Sequence, residues 1–296
     1  MSSDAFASFS PRRKVALIDL VETDSPEASR GFAAKNSQLA EEVGGRQLLA
    51  NEAIVPIIIP DDRASAADPA TGLLVVSQYP NPEAGRSALA KREEWGHVFS
   101  SDSIRSYAAR PAEGIEALVE RTLPSGLGLL RRTSVPRNVD TQQLDSLIED
   151  AGILGGNLDI SIAEGRWREL DERGRDRPIW MLNFLEFAEV AAYGEDEPGF
   201  SASGPISGAR AYLNYGRGMV GSLGAVGGRI GWSGRGVVPL PGTDDGKWNQ
   251  IAIAVYPSPV AMLTMLALPK YRAAHRHREA GLVRTRLLAT RPLESS

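Results

Sequence analysis

Asn183 stands inside an apolar run, Trp180-Met181-Leu182-Asn183-Phe184-Leu185-Glu186-Phe187, and shares a strand face with Met181 and Leu185. A buried amide left without a hydrogen bond costs on the order of 1–3 kcal/mol. Asn183 therefore either orients a ligand carbonyl or hydroxyl, or ties back to neighbouring backbone. His275 and His277 are two of only three histidines, within Tyr271-Arg272-Ala273-Ala274-His275-Arg276-His277-Arg278. Either could move a proton near pH 7. A His-x-His pair with no third ligand nearby makes a poor zinc site, so no metal is called for. The plain alternative is a solvated basic segment. Tyr212 and Tyr215 fall three apart and share one side of a helix. Core packing is the ordinary reason for such aromatics, and a hydrogen bond from the Tyr215 phenol to substrate is the functional one.

A second group could line a cavity or simply fill a core: Trp232, Trp248 and Tyr256, to which Arg229 and Glu186 are added as substrate contacts. The candidate set is thus Asn183, Tyr215, His275 and His277 for chemistry, with Trp232, Trp248, Tyr256, Tyr212, Arg229 and Glu186 for substrate contact. No cofactor is required. Haem is a remote alternative that rests on His97 in Glu93-Glu94-Trp95-Gly96-His97.

Composition removes whole classes of chemistry. The chain has 296 residues and no cysteine, which rules out disulfides, thiolate nucleophiles and cysteine-held metals. A net charge of -4 gives no broad attraction to nucleic acid or anionic lipid. The first apolar run, broken by Asp19 and Glu22, is too interrupted for a secretory signal, and no stretch approaches a membrane span. The expectation is a cytoplasmic protein with a small organic ligand as partner. The glycines of 216–228 lack phosphate-loop or dinucleotide spacing, and no Ser-His-Asp arrangement is legible.

The elements that must position these residues come twice. Val43-Gly44-Gly45-Arg46 recurs as Val226-Gly227-Gly228-Arg229, followed at equal distances by Val55-Pro56 and Val238-Pro239, then by Asp61-Asp62 and Asp244-Asp245. Tyr79-Pro80-Asn81-Pro82 matches Tyr256-Pro257-Ser258-Pro259. Asp19 aligns with Asn183, Glu22 with Glu186 and Phe32 with Tyr215. Because Arg46 and Glu22 repeat Arg229 and Glu186, those two positions have a structural reading as well.

Each copy reads as strand, helix ending at Val-Gly-Gly, two strands with a turn between them, a helix opening near Pro82 or Pro259, and a final strand. Those final strands are expected near 118–123 and 282–290. The order βαββαβ is the ferredoxin-like unit, whose uncovered sheet face seeks a partner. The fold class expected is α+β: two tandem ferredoxin-like domains pairing as an intramolecular pseudo-dimeric barrel. The first domain spans residues 12–124, a linker 125–139, and the second domain 140–296 with a helical extension. A capping box at Ser161-Ile162-Ala163-Glu164 opens a helix in that extension.

The ordered motifs from Trp180 through Ala211-Tyr212-Leu213-Asn214-Tyr215-Gly216 and Val226–Arg229 to Tyr271–Arg278 resemble the bacterial domain-of-unknown-function family numbered thirteen-thirty. That resemblance covers 159–290 well and 14–124 weakly. It implies the dimeric α+β-barrel superfamily, whose members include cofactor-free monooxygenases, isomerases, haem enzymes and plain ligand binders. Arg110 and Ala112 are placed near His275 and His277 in the alignment, so the first copy looks stripped of polar groups. The pocket is expected in the second copy. Function is read as small-molecule binding with cofactor-independent proton transfer, isomerisation or oxygenation, or else as a non-catalytic binding or assembly protein with a packed barrel. Further homo-oligomerisation is left open.

Overall fold

Helix ends repeat as faithfully as the motifs that encode them. In the computed structural model, which describes residues 5–23, 25–58, 72–95, 104–130, 133–135, 140–152, 169–194, 204–243 and 246–293, Gly44 and Gly227 both adopt positive φ, 76° and 80°. Gly45 N–H then donates to Ala40 O at 2.7 Å and Gly228 N–H to Leu223 O at 2.9 Å, closing each helix with a left-handed glycine. The elements are β1 (Val15–Glu22), α1 (Pro26–Glu42), β2 (Arg46–Ile58), β3 (Gly72–Tyr79), α2 (Pro82–Glu93), β4 (Ile104–Pro111), α3 (Gly114–Leu130) and α4 (Thr141–Gly152). They continue as β5 (Ile179–Phe187), α5 (Gly208–Ala225), β6 (Arg229–Pro239), β7 (Gln250–Tyr256), α6 (Pro259–Ala267), α7 (Pro269–Gly281) and β8 (Leu282–Pro292). Pro82 and Pro259 do open helices, behind Asn81 and Ser258, whose side chains accept from Ala84 and Ala261 N–H.

All strand pairs are antiparallel, and they close into a barrel in the order β1-β3-β2-β8-β5-β7-β6-β4. Within it β4-β1-β3-β2 and β8-β5-β7-β6 repeat one order, joined through β2–β8 and β4–β6. Register supports the residue alignment: Val15 pairs with Tyr79 as Ile179 pairs with Tyr256, so Asp19 and Asn183 hold equivalent places.

Alternation along the strands sorts residues into two layers. Ala16, Ile18, Leu20, Leu74, Tyr107, Leu182, Phe184, Trp232, Ile253 and Leu288 fill the barrel. Ile179, Met181, Tyr256 and Leu287 instead face α5, α6 and α7. No helix among the described residues is long and apolar enough to cross a membrane.

Three expectations need correction. The last strand of the first copy is β4, and 118–123 lies inside α3, where Leu118 and Leu123 are exposed. Apolar content alone does not separate strand from helix there, and the pairing of Ala16 with Ala109 and of Trp180 with Thr290 makes β4 the counterpart of β8. Arg110 is therefore the equivalent of Arg291, not of a residue near His275. The proposed boundary at residue 124 falls within α3, which lies against the second half: Ser233 Oγ donates to Glu120 at 2.6 Å, and Arg235 pairs with Glu116 at 2.6 Å.

Third, the first copy has not lost its polar groups. Asp19, fully buried, accepts from Arg92 Nη1 at 2.7 Å, from Arg92 Nη2 at 2.9 Å and from Ser106 Oγ at 2.6 Å. Arg92 also donates to Asn36 Oδ1 at 2.9 Å, and Asn36 Nδ2 donates to Ser77 Oγ at 2.8 Å. Burial beside this network pushes the Tyr79 phenol up to about 12. His97, Asp61-Asp62, Asp244-Asp245 and the Ser161–Glu164 box lie outside the described residues.

The Asp19–Arg92 pair sets a test. Asp19→Ala strands a buried guanidinium and is expected to lower unfolding free energy by about 3–5 kcal/mol in denaturant titration. Asp19→Ala combined with Arg92→Met removes both charges and should recover most of that loss. A double variant no better than the single one would show that packing, not charge, holds this layer.

Candidate functional site

The second half fills the equivalent layer differently. On α5, Tyr212 and Tyr215 point the same way, with ring centroids 5.2 Å apart. On α7, Tyr271, His275 and Arg278 recur at helical spacing and are all buried. The two helices come close because Gly218 faces Ala274, where any added Cβ would sit 2.6 Å from the alanine Cβ. Tyr215 and Tyr271 consequently meet edge to face at 6.2 Å, and their hydroxyl groups interact. Tyr256 enters the same layer from β7, its hydroxyl 3.8 Å from Met265 Sδ.

Burial raises the pKa of all four tyrosines, which keeps the phenols protonated; Arg278 pulls each of them partly back. Arg278 is 5% exposed, and its hydrogen bond is to Thr285 Oγ1 at 3.1 Å. Thr285 in turn donates to Phe184 O at 3.0 Å. His275 is driven down to about 3, first by burial and then by Arg278, with Glu279 Oε1 3.6 Å from its Nδ1. It is a neutral hydrogen-bonding group at ordinary pH and a weak proton acceptor.

The remaining candidates are placed as follows. Asn183 turns toward the helix layer, not into the barrel, and its Nδ2 donates to Met181 O at 2.9 Å and to Ala252 O at 3.5 Å. The odd-numbered positions of β5 face the helices, which is why the amide misses the barrel interior. His277 is half-buried, away from His275, with Nδ1 2.6 Å from the Tyr193 hydroxyl. Glu186 is bound to Arg284, Oε2 lying 3.1 Å from Nε and 3.0 Å from Nη2. Trp232 and Trp248 belong to the packed barrel interior, where Trp248 meets Phe184 at 5.4 Å, so they do not join Tyr256. Among the described residues no cluster of three His, Asp or Glu could hold a metal.

Arg229 lies elsewhere again. It is exposed, with its guanidinium 5.6 Å from the Trp180 ring centroid. It lines an open groove of about 740 Å³ with Trp180, Tyr256, Arg177 and Arg291. Residue-by-residue reading missed Tyr271 and Arg278 as site members. The signal was present: both sit in the His-containing segment, at the i and i+7 positions that put them on the face of His275.

His275 carries a pH dependence. Its pKa lies below the ordinary 6.5 in the folded chain, so unfolding takes up a proton between about pH 6.5 and 3. Its contribution to stability is full above pH 6.5 and is lost as pH falls toward 3, at up to about 1.4 kcal/mol per pH unit. Denaturant stability measured from pH 7 to 4 should fall less steeply for His275→Gln than for the unaltered chain. Identical slopes would show that His275 is not held neutral.

No family model matches the chain, so the thirteen-thirty resemblance has no match of that kind, and no curated protein matches it either. Among solved structures, a chlorite dismutase from Candidatus Nitrospira defluvii is similar at 9% identity, covering 95% of this chain and 92% of that one, with a TM-score of 0.40. A similarity of that order carries no argument about chemistry or cofactor. A protein of unknown function from Rhodopseudomonas palustris is 32% identical, covering 44% of this chain and 92% of that one, with a TM-score of 0.38. By that identity over nearly the whole of the smaller protein, the chain belongs to the family of the Rhodopseudomonas palustris protein.

Proposed function

We propose that the protein binds a small organic molecule between the sheet and the helices of its second half, and that the chain is an internal pseudo-dimer of two ferredoxin-like units of the thirteen-thirty type. The observation that carries this reading is the convergence of Tyr212, Tyr215, Tyr256, Tyr271 and His275 on one spot. In the first half the same layer is closed by its own ion pair and side-chain hydrogen bonds. Rings supply flat apolar walls and phenols supply directed hydrogen bonds, a combination suited to a planar, unsaturated ligand. Tyr215 is the hydrogen-bonding residue, and Asn183, already donating to backbone, shapes the sheet side.

The role is binding. Proton transfer is assigned to no histidine here, because His275 is held neutral and His277 is engaged with Tyr193 outside the cluster. A second reading puts the ligand in the arginine-lined groove, favoured by its open volume of about 740 Å³ and by Trp180.

A ligand-observed magnetic resonance screen of aromatic compounds against the full chain separates the two. Tyr215→Phe is expected to weaken binding about fivefold to tenfold, the worth of one hydrogen bond. Trp180→Ala should leave it unchanged. The reverse pattern moves the site to the groove, and a well-folded chain that binds nothing sinks both readings.

A further inference from the structure

Arg278 is a buried member of the tyrosine cluster whose donors the described residues leave largely unused. Its guanidinium offers five N–H donors in a rigid fork. Within the structure it makes one hydrogen bond, to the neutral hydroxyl of Thr285, and no carboxylate pairs with it among the described residues. The neighbouring acid, Glu279, turns to His275. The groups facing Arg278 from α5, β7 and its own helix are the phenols of Tyr212, Tyr215, Tyr256 and Tyr271, all kept protonated by burial, and His275, kept neutral.

A buried cation is ordinarily paired, because withdrawing a charge from water costs more than any neutral hydrogen bond returns. The first half obeys this rule: Arg92, similarly buried, is matched by both oxygens of Asp19. The second half has Asn183 where Asp19 stands, a neutral amide that donates to Met181 O and Ala252 O. Among the described residues Arg278 has no such carboxylate.

We propose that Arg278 is the anion-binding residue of this site and that the ligand is a small planar organic acid, a carboxylate conjugated to an aromatic ring or double bond. This rests on the reading of the second-half layer as a ligand site and adds the charge of the ligand. The carboxylate takes the unused face of the guanidinium in a two-point contact, and the unsaturated body lies among the Tyr212, Tyr215 and Tyr271 rings. The phenols then serve as donors to the same carboxylate or to a ring substituent. An ammonium or a neutral ligand of the same shape leaves Arg278 uncompensated and is disfavoured.

The test uses matched pairs: benzoate with benzamide, cinnamate with cinnamamide, and sorbate with sorbamide. Each is titrated calorimetrically into the full-length chain and into Arg278→Met and Arg278→Lys. At least one carboxylate is expected to bind ten times or more tighter than its amide. Arg278→Met should abolish that preference while leaving amide affinity within about twofold, and Arg278→Lys should restore part of it. Without ligand, Arg278→Met should melt no lower than the unaltered chain, because Thr285 keeps its bond to Phe184 O. Amides binding as well as their acids would overturn the anion assignment while leaving the ligand site standing. If no member of any pair binds, the site and the inference fail together. A preference for acids that survives in Arg278→Met overturns the inference by placing the anion contact elsewhere, and that comparison needs only soluble, folded variant. The pairwise comparison on the unaltered chain needs no variant at all.

Discussion

Closure of the barrel is the constraint on which everything else in this chain depends. A four-stranded antiparallel sheet has two edges whose backbone groups must find partners. Here β2 pairs with β8 and β4 with β6, so each half supplies the other's missing neighbours. Both faces of every sheet are then committed. One looks into an interior that eight strands make just wide enough for side chains to fill, and Phe184, Trp248 and Tyr107 fill it. The other lies under helices. Strand β1 accordingly reads as apolar almost without interruption, since both of its faces are buried.

With the barrel packed, the two halves differ most in their helix layers, and there they have diverged in physical kind. The first half solves the burial of polar groups internally. Asp19, Arg92, Ser106, Asn36 and Ser77 satisfy one another, and the layer is closed. The second half replaces Asp19 with Asn183, whose amide is occupied by nearby backbone, and gathers tyrosines around Arg278. A self-satisfied charge network specifies a conformation, whereas a cation ringed by protonated phenols lacks a compensating charge among the described residues. The same framework thus carries an internal ion-pair network in one half and an aromatic cluster around a cation in the other.

That division reframes the aromatic residues. Trp232 and Trp248 are interior ballast of the barrel, while Tyr212, Tyr215, Tyr256 and Tyr271 gather in a single layer around one charge. Glu186 and Arg284 form a surface-side pair beside Trp248, and Arg229 sits in a separate groove with Trp180. Residues that are neighbours in sequence, such as His275 and His277, are separated by the helix itself: one turns into the layer and the other toward Tyr193.

The sequence by itself determined the repeat, the paired helix ends at Gly44 and Gly227, and the equivalence of Asp19 with Asn183, because these rest on local backbone requirements and on period-two alternation that survive without tertiary context. It also held the tyrosines and the His275 segment as candidates. It did not reveal the last strand of the first half, since α3 carries the same apolar residues that a strand would. Only the tertiary structure decided which face of β5 meets the helices, that Arg92 finds Asp19 from 73 positions away, and that Arg278 finds no acid among the described residues. Charge compensation is a property of three-dimensional neighbourhoods, so a chain read in one dimension shows which charges exist but not which of them remain unpaired.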